Sequence, residues 1–423
     1  MKVNMSFFKH MNIYFISSII QNLIPFLALP IITRYIIPSE YSIIAMYTLM
    51  VSFFTAFIGI NAHGAISRKF VDKDKIDFPL YIGNSFIIYF ISILIVLSFS
   101  FLFIDKLEKV TSLSGIWIYV ALFASSMQFL ISIYMTLLQM KQKSLYYGIF
   151  NILKSILNTI LILLFVVFYN VGWQGYLEAN VIVISFFSLI SLLFIIKAKE
   201  IKIKYNKEYF NHILKFGVPL IPHALGALAI SMTDRILLIN LEGEEATGIY
   251  QLGWQMALPI SLLIEAFKNG YIPWLFEKLK DKLHNTKVVI VTYLMIIGIL
   301  MITILFIVII NFIILNFFGE LYIQSAEVVP YLAYALALSG AYYTVGLLIS
   351  FAERTATLAI LTFITGILNF IFSYYLINLN GMIGAAQGTL LAYLITFFLT
   401  WALSAKVHPM PWFSFWRRQN EIR

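Results

Sequence analysis

Apolar runs dominate the chain, and their length identifies the elements. A helix that crosses a bilayer needs about 20 mostly apolar residues. Charge-poor runs of suitable length fall near 11–36, 42–62, 79–104, 115–140, 145–169, 176–196, 216–240, 249–272, 288–318, 328–352, 358–378 and 384–405. The last two share a stretch without any charge from Thr355 to Ala405, divided at NLNG (378–381), where Asn and Gly favour a turn. The pattern predicts an all-α polytopic membrane protein with about twelve transmembrane helices. The start, MKVNMSFFKHMNIYF, lacks a short apolar core followed by a small-residue cleavage site, so it is expected to remain as the first membrane helix.

Composition agrees with that solvent. The 423 residues are 61% hydrophobic and only 12% charged, whereas soluble domains carry roughly a quarter charged residues. With no cysteine there is no disulfide, thiolate metal site or cysteine nucleophile. A net charge of +9 would suggest nucleic acid in a soluble protein, but here its placement decides. With the N-terminus set inside, all but six of the 29 Lys and Arg residues fall on inner segments. Arg34, Lys106 and Lys109 fall outside, and Lys154, Arg235 and Lys268 fall within spans. The charge is a topology signal that places both termini in the cytoplasm, with no nucleic-acid partner.

The longest inner loop, KAKEIKIKYNKEYFNH (197–212), lies at mid-chain. It divides the protein into a six-helix lobe (1–196), a basic linker (197–215), a second six-helix lobe (216–406) and a tail (407–423). The tail, PWFSFWRRQNEIR from 411, reads as an anchor at the inner surface. The lobes resemble one another. FFKH (7–10) leads to ITR (32–34) past Pro25 and Pro30, and YFNH (209–212) leads to TDR (233–235) past Pro219 and Pro222. Parallel repeats are a recurring transporter architecture. Each proline removes a backbone donor, which is tolerable in lipid only where neighbours or water repair the bond.

Four cations within or at the ends of spans are the candidate site residues: Arg34, Lys154, Arg235 and Lys268. Lys154 lies nine residues into its span, hence roughly 14 Å deep, where a charge costs about 2.5–3.5 kcal/mol and must face protein or a wet cavity. Arg34 near a helix end has the alternative of snorkelling to headgroups. Asp234 and Arg235 point about 100° apart on a helix, so each is expected to meet other helices, as a structural clamp or as part of a cavity. Glu265 lies three residues before Lys268 on the same face and either neutralises it or takes part in coupling. These cations outnumber the buried acids Asp234 and Glu265, so their sum suggests a cationic cavity suited to an anionic solute. Buried amides such as Asn151, Asn158 and Gln251 suit sugar hydroxyls or helix–helix hydrogen bonds. Signatures of nucleotide-binding or zinc enzymes are absent, and the six histidines show no metal-ligand spacing. No catalytic residue, metal site or cofactor is expected.

The whole pattern resembles the O-antigen flippases (Wzx type) of the MOP exporter superfamily. The stretches that carry the resemblance are PIITRYIIPSEYSIIAMY (30–47), DRILLINLEGEEATGIYQLGW (234–254) and FFGELYIQSAEVVPYLA (317–333), with twelve spans and a basic mid-chain linker. It implies a MATE-like fold and a bacterial inner-membrane flippase. Its substrate would be an undecaprenyl-diphosphate-linked oligosaccharide, a repeat unit of O-antigen or another surface polysaccharide, moved between leaflets by alternating access through a central cationic cavity. Arg34, Lys154, Arg235 and Lys268 would contact diphosphate or acidic sugars, and Asp234 or Glu265 would be open to a coupling proton. Membrane lipids, a polysaccharide polymerase and a chain-length regulator are the implied partners. A cation-coupled multidrug exporter of the MATE type and a membrane-embedded glycan polymerase or acyltransferase are the alternatives.

Overall fold

Long unbroken runs of Leu, Ile and Phe leave the backbone to satisfy itself, and in lipid an α-helix does so within one segment. The computed structural model describes residues 5–279, 285–352 and 354–412, and among these every regular element is helical. The helices are α1 Met5–Ile32, α2 Pro38–Phe57, α3 Ala62–Lys69, α4 Phe78–Leu102, α5 Ile104–Thr111, α6 Gly115–Met140, α7 Ser144–Leu163, α8 Trp173–Lys197 and α9 Lys207–Gly217. They continue as α10 Ile221–Leu241, α11 Gly243–Ala257, α12 Pro259–Leu279, α13 Asn285–Phe317, α14 Ser325–Phe351 and α15 Thr355–Val407.

Nine described helices are long and apolar enough to cross a membrane, ten if the bent pair Lys207–Gly226 and Leu228–Leu241 forms one span. The difference from twelve has two causes. The 48-residue segment Ile360–Val407 holds two of the expected runs, because α15 turns at Gly381, whose φ of 55° and ψ of −135° suit glycine. Contacts across it mirror about residue 380: Thr365 meets Thr396 at 2.8 Å and Asn369 meets Thr389 at 2.8 Å. The NLNG turn is therefore real. The run at 249–272 is instead divided between α11 and α12 at Leu258, where Pro259 has no N–H to continue the ladder.

The chain forms two compact units that meet at Leu228 and Ala229, inside α10. In the first, α1 packs on α7, α7 on α8, and α6 on α2 and α8. Phe150, Val183 and Phe187 are among the residues of its core. Between α2 and α3 the backbone is left-handed at Gly59, Ile60 and Asn61, with φ of 72°, 47° and 52°. Ser92 Oγ accepts the Gly59 N–H at 2.8 Å, and the Phe129 ring fills the place of a Cβ. The basic segment 197–215 belongs to this unit. In the second unit α14 is central, packing on α11, α12, α13 and α15. Lys2, Lys280, Lys282, His284 and the anchor beyond Trp412 lie outside the described residues.

Candidate functional site

Within the second unit, Asp234 and Arg235 are each only 1% exposed. Asp234 Oδ2 accepts hydrogen bonds from Tyr250 Oη at 2.6 Å and Thr389 Oγ1 at 2.5 Å, and Oδ1 accepts one from Ser373 Oγ at 2.8 Å. Arg235 Nε donates to Gln251 Oε1 at 2.7 Å, and its Nη1 donates to the Ser231 carbonyl. Its guanidinium lies 4.5 Å from the Trp254 ring centroid and 5.7 Å from that of Tyr250. A buried carboxylate needs several donors and a buried guanidinium several acceptors. The neighbours supply both, so this geometry supports the clamp reading, in which the pair ties α10 to α11 and to both arms of α15.

Lys268 is the partly neutralised cation. Its ammonium donates to Glu265 Oε2 at 3.1 Å and stands 3.8 Å over the Tyr343 ring of α14. The Lys268 side chain is 24% exposed and that of Glu265 61%, whereas Asp234 is buried. Arg34 lies just past the end of α1 and is exposed.

Lys154 differs from all three. It sits half-buried in the middle of α7, and among the described residues no carboxylate lies within ion-pair distance of it. One turn either side on the same face are buried Asn151 and half-buried Asn158, whose Oδ1 is 3.5 Å from Asn180 Nδ2 on α8. The next residue explains why α7 is held in place. Pro25 leaves the Gln21 carbonyl of α1 without its helical donor, and Ser155 Oγ donates to that carbonyl at 2.7 Å. A Cβ at Gly148 would collide with Ser17 Oγ, so α1 and α7 also approach closely about two turns earlier in α7. The proline of α1 and the lysine of α7 thus belong to one tightly packed helix pair that carries a polar strip.

Sequence reasoning singled out the six charges and, among their partners, Gln251 alone, as an amide suited to a helix–helix hydrogen bond. Tyr250 and Gln251 each follow Asp234 and Arg235 by the same sixteen positions, a spacing with no local meaning until α10 and α11 fold together. Ser373 and Thr389 carry no signal short of the tertiary structure.

The sequence profile of the polysaccharide biosynthesis protein family matches residues 7–279. The chain belongs to this family. Two proteins of Haemophilus influenzae are similar to this chain. An uncharacterized membrane protein is 28% identical over 282 residues, which cover 66% of this chain and 67% of the relative. The Lsg locus putative protein 1 is 24% identical over 285 residues, covering 66% and 68%. Among solved structures, the lipid II flippase MurJ in an inward closed conformation matches with TM-score 0.71 and 16% identity, covering 94% of this chain and 87% of that one. A Vibrio cholerae MATE transporter matches with TM-score 0.61 and 14% identity, covering 95% and 96%. At these identities the likeness shows the fold. This member of the polysaccharide biosynthesis family is a polytopic, all-helical membrane protein with the fold that MATE transporters and MurJ share.

Proposed function

We propose that the protein is a flippase of the bacterial inner membrane that carries a polyprenyl-diphosphate-linked oligosaccharide from the inner to the outer leaflet. The observation that carries this reading is Lys154, a cation held at mid-span beside amides, with no counter-charge among the described residues. A sugar diphosphate cannot cross hydrocarbon unaided, since stripping water from its charges costs on the order of tens of kcal/mol. A lysine fixed among amides lowers that barrier while the polyprenyl chain stays in lipid. Lys154 is the diphosphate contact, Arg34 and Lys268 are peripheral cations, and Arg235 acts by holding the second unit rigid. Glu265 is more accessible to a coupling proton than Asp234, because its side chain is exposed and that of Asp234 is buried.

In this reading both termini are cytoplasmic, the units alternate their access between the two faces, and the product passes to a polymerase. Deletion of the gene tests it. Lipid-linked repeat units are expected to accumulate on the inner leaflet, wild-type protein to clear them, and Lys154→Gln to leave them there. A deletion strain that instead becomes drug-sensitive, with lipid-linked intermediates at their normal level, would favour a multidrug exporter and reject the flippase.

A further inference from the structure

The basic segment after α8 is a built surface of the first unit. Asn84 of α4 is fully buried and uses both ends of its amide on this segment. Its Nδ2 donates to the Lys204 carbonyl at 3.0 Å, and its Oδ1 accepts the Asn206 N–H at 2.9 Å. The Lys202 N–H donates to the Pro79 carbonyl at 3.0 Å. A Cβ at Gly83 would collide with the Lys202 carbonyl, so only glycine lets the segment lie this close. Two ion pairs close the ends: Lys202 with Asp77 at 3.0 Å, and Lys141 with Glu200.

A backbone fixed at this many points presents its side chains at fixed positions. Outward go Lys197, Lys199, Lys202 and Lys204, all exposed, and between them Ile203 and Tyr205, which are 66% and 58% exposed. Between 197 and 207 there are five lysines and a single acid, Glu200, which Lys141 already engages; Asp77 engages Lys202, and among the described residues no carboxylate pairs with the other four. Exposed apolar side chains alternating with ammonium groups match the headgroup layer, where the former enter the acyl boundary and the latter meet phosphates. A lysine near an anionic leaflet is worth about 1 kcal/mol, close to a fivefold change in binding.

We propose that the docked segment 197–206 is a preorganised binding platform for the anionic phospholipid headgroups of the leaflet it faces. This rests on the flippase reading only for which leaflet that is, the cytoplasmic one. The platform holds the first unit at a fixed depth and tilt in that leaflet.

The test uses the full-length protein in nanodiscs of equal phosphatidylglycerol and phosphatidylcholine, where both leaflets are alike and orientation does not enter. Native mass spectrometry after mild delipidation counts the lipids retained. Wild-type protein is expected to retain phosphatidylglycerol in excess. Replacing Lys197, Lys199, Lys202 and Lys204 together by Gln is expected to cut that excess at least about twofold. Neutralising Lys106 and Lys109 of α5, which have no docked segment around them, is expected to lower it by less. Asn84→Ala, which keeps every lysine but frees the segment, is expected to lower it as well. If that variant does not fold, Gly83→Ala, which puts a Cβ against the Lys202 carbonyl and changes no charge, loosens the same segment from the surface.

An unchanged excess in the four-lysine variant, or an equal loss from neutralising Lys106 and Lys109, overturns the proposal. So does a full excess in the loosened variants, which would make the segment an ordinary flexible polybasic strand. Competition by added polyprenyl diphosphate at a few molecules per protein would overturn it too, assigning the lysines to the transported lipid. Which side the segment faces is settled separately. The chain has no cysteine, so labelling of Asn211→Cys by an impermeant maleimide in whole cells reports orientation alone.

Discussion

Asp234 and Arg235 are neighbours in sequence that work through different partners. Adjacent helical side chains diverge by about 100°, and here the carboxylate collects Tyr250, Ser373 and Thr389 while the guanidinium turns to Gln251, Ser231 and Trp254. Removing one member of such a node costs more than its net worth, because the groups left behind stay buried. Asp234→Ala is expected to destabilise the second unit by about 3–5 kcal/mol. Ser373→Ala removes one of three donors to a charged group and is expected to cost about 1.5–3 kcal/mol. Arg235→Lys loses the stacking on Trp254 and the Nε hydrogen bond, and falls between them. Thermal unfolding in detergent gives the order. If Arg235→Lys unfolds like wild type yet loses substrate binding, the clamp reading fails and Arg235 returns to the substrate site.

At the scale of elements, what the sequence made legible was whatever depends on run length and on Gly, Asn and Pro. NLNG predicted the turn in α15 because its signal is local, and Gly381 makes that turn. Pro25 predicted an orphaned carbonyl, but only the packed helices show Ser155 as its donor. The paired arms of α15 depend on a second glycine, where a Cβ at Gly384 would collide with the Leu376 carbonyl. Gly384→Ala is therefore expected to splay the hairpin and cost about 1–3 kcal/mol, read as a lowered melting temperature. The docking of 197–206 was not legible: basic composition marked the segment as a linker, while the buried amide that fixes it lies 120 positions upstream. Asp77 adds a pH dependence here. The Lys202 ammonium hydrogen-bonded to it holds its carboxyl below the ordinary 3.8, and it also caps α4 through Leu80. A lowered carboxylate stabilises fully above its unfolded value and loses that contribution as pH falls through its folded one. The melting-temperature difference between wild type and Asp77→Asn is expected to be small at pH 7, since the pair is exposed, and to shrink as pH falls below 3.8. A difference that grows on acidification would show that Asp77 is not paired in solution.

For the whole molecule, summing the charge over spans treated unlike cations as one group. Arg235 is committed inside the second unit, Lys268 shares its charge with Glu265, and Arg34 sits at a helix end. Lys154 alone joins mid-span depth to the lack of an acid partner among the described residues. Keeping an ammonium there is expensive, and a fold gains nothing from it that a leucine would not supply. On the proposed flippase reading a transported anion would change that balance, because each passage would provide the missing counter-charge. A charge-assisted hydrogen bond of about 1.5–3 kcal/mol corresponds to roughly 10–150-fold in affinity. Lys154→Gln is thus expected to weaken binding of a polyprenyl diphosphate by that factor while unfolding no earlier than wild type, and Lys154→Arg to retain most of it. Lys268→Gln, which removes a cation already paired, is expected to cost less than tenfold. Titration of the lipid into purified protein by microscale thermophoresis distinguishes the two sites. Equal affinities for wild type and Lys154→Gln, with the loss falling on Lys268→Gln, would move the diphosphate contact to the second unit and leave the lysine of α7 unexplained.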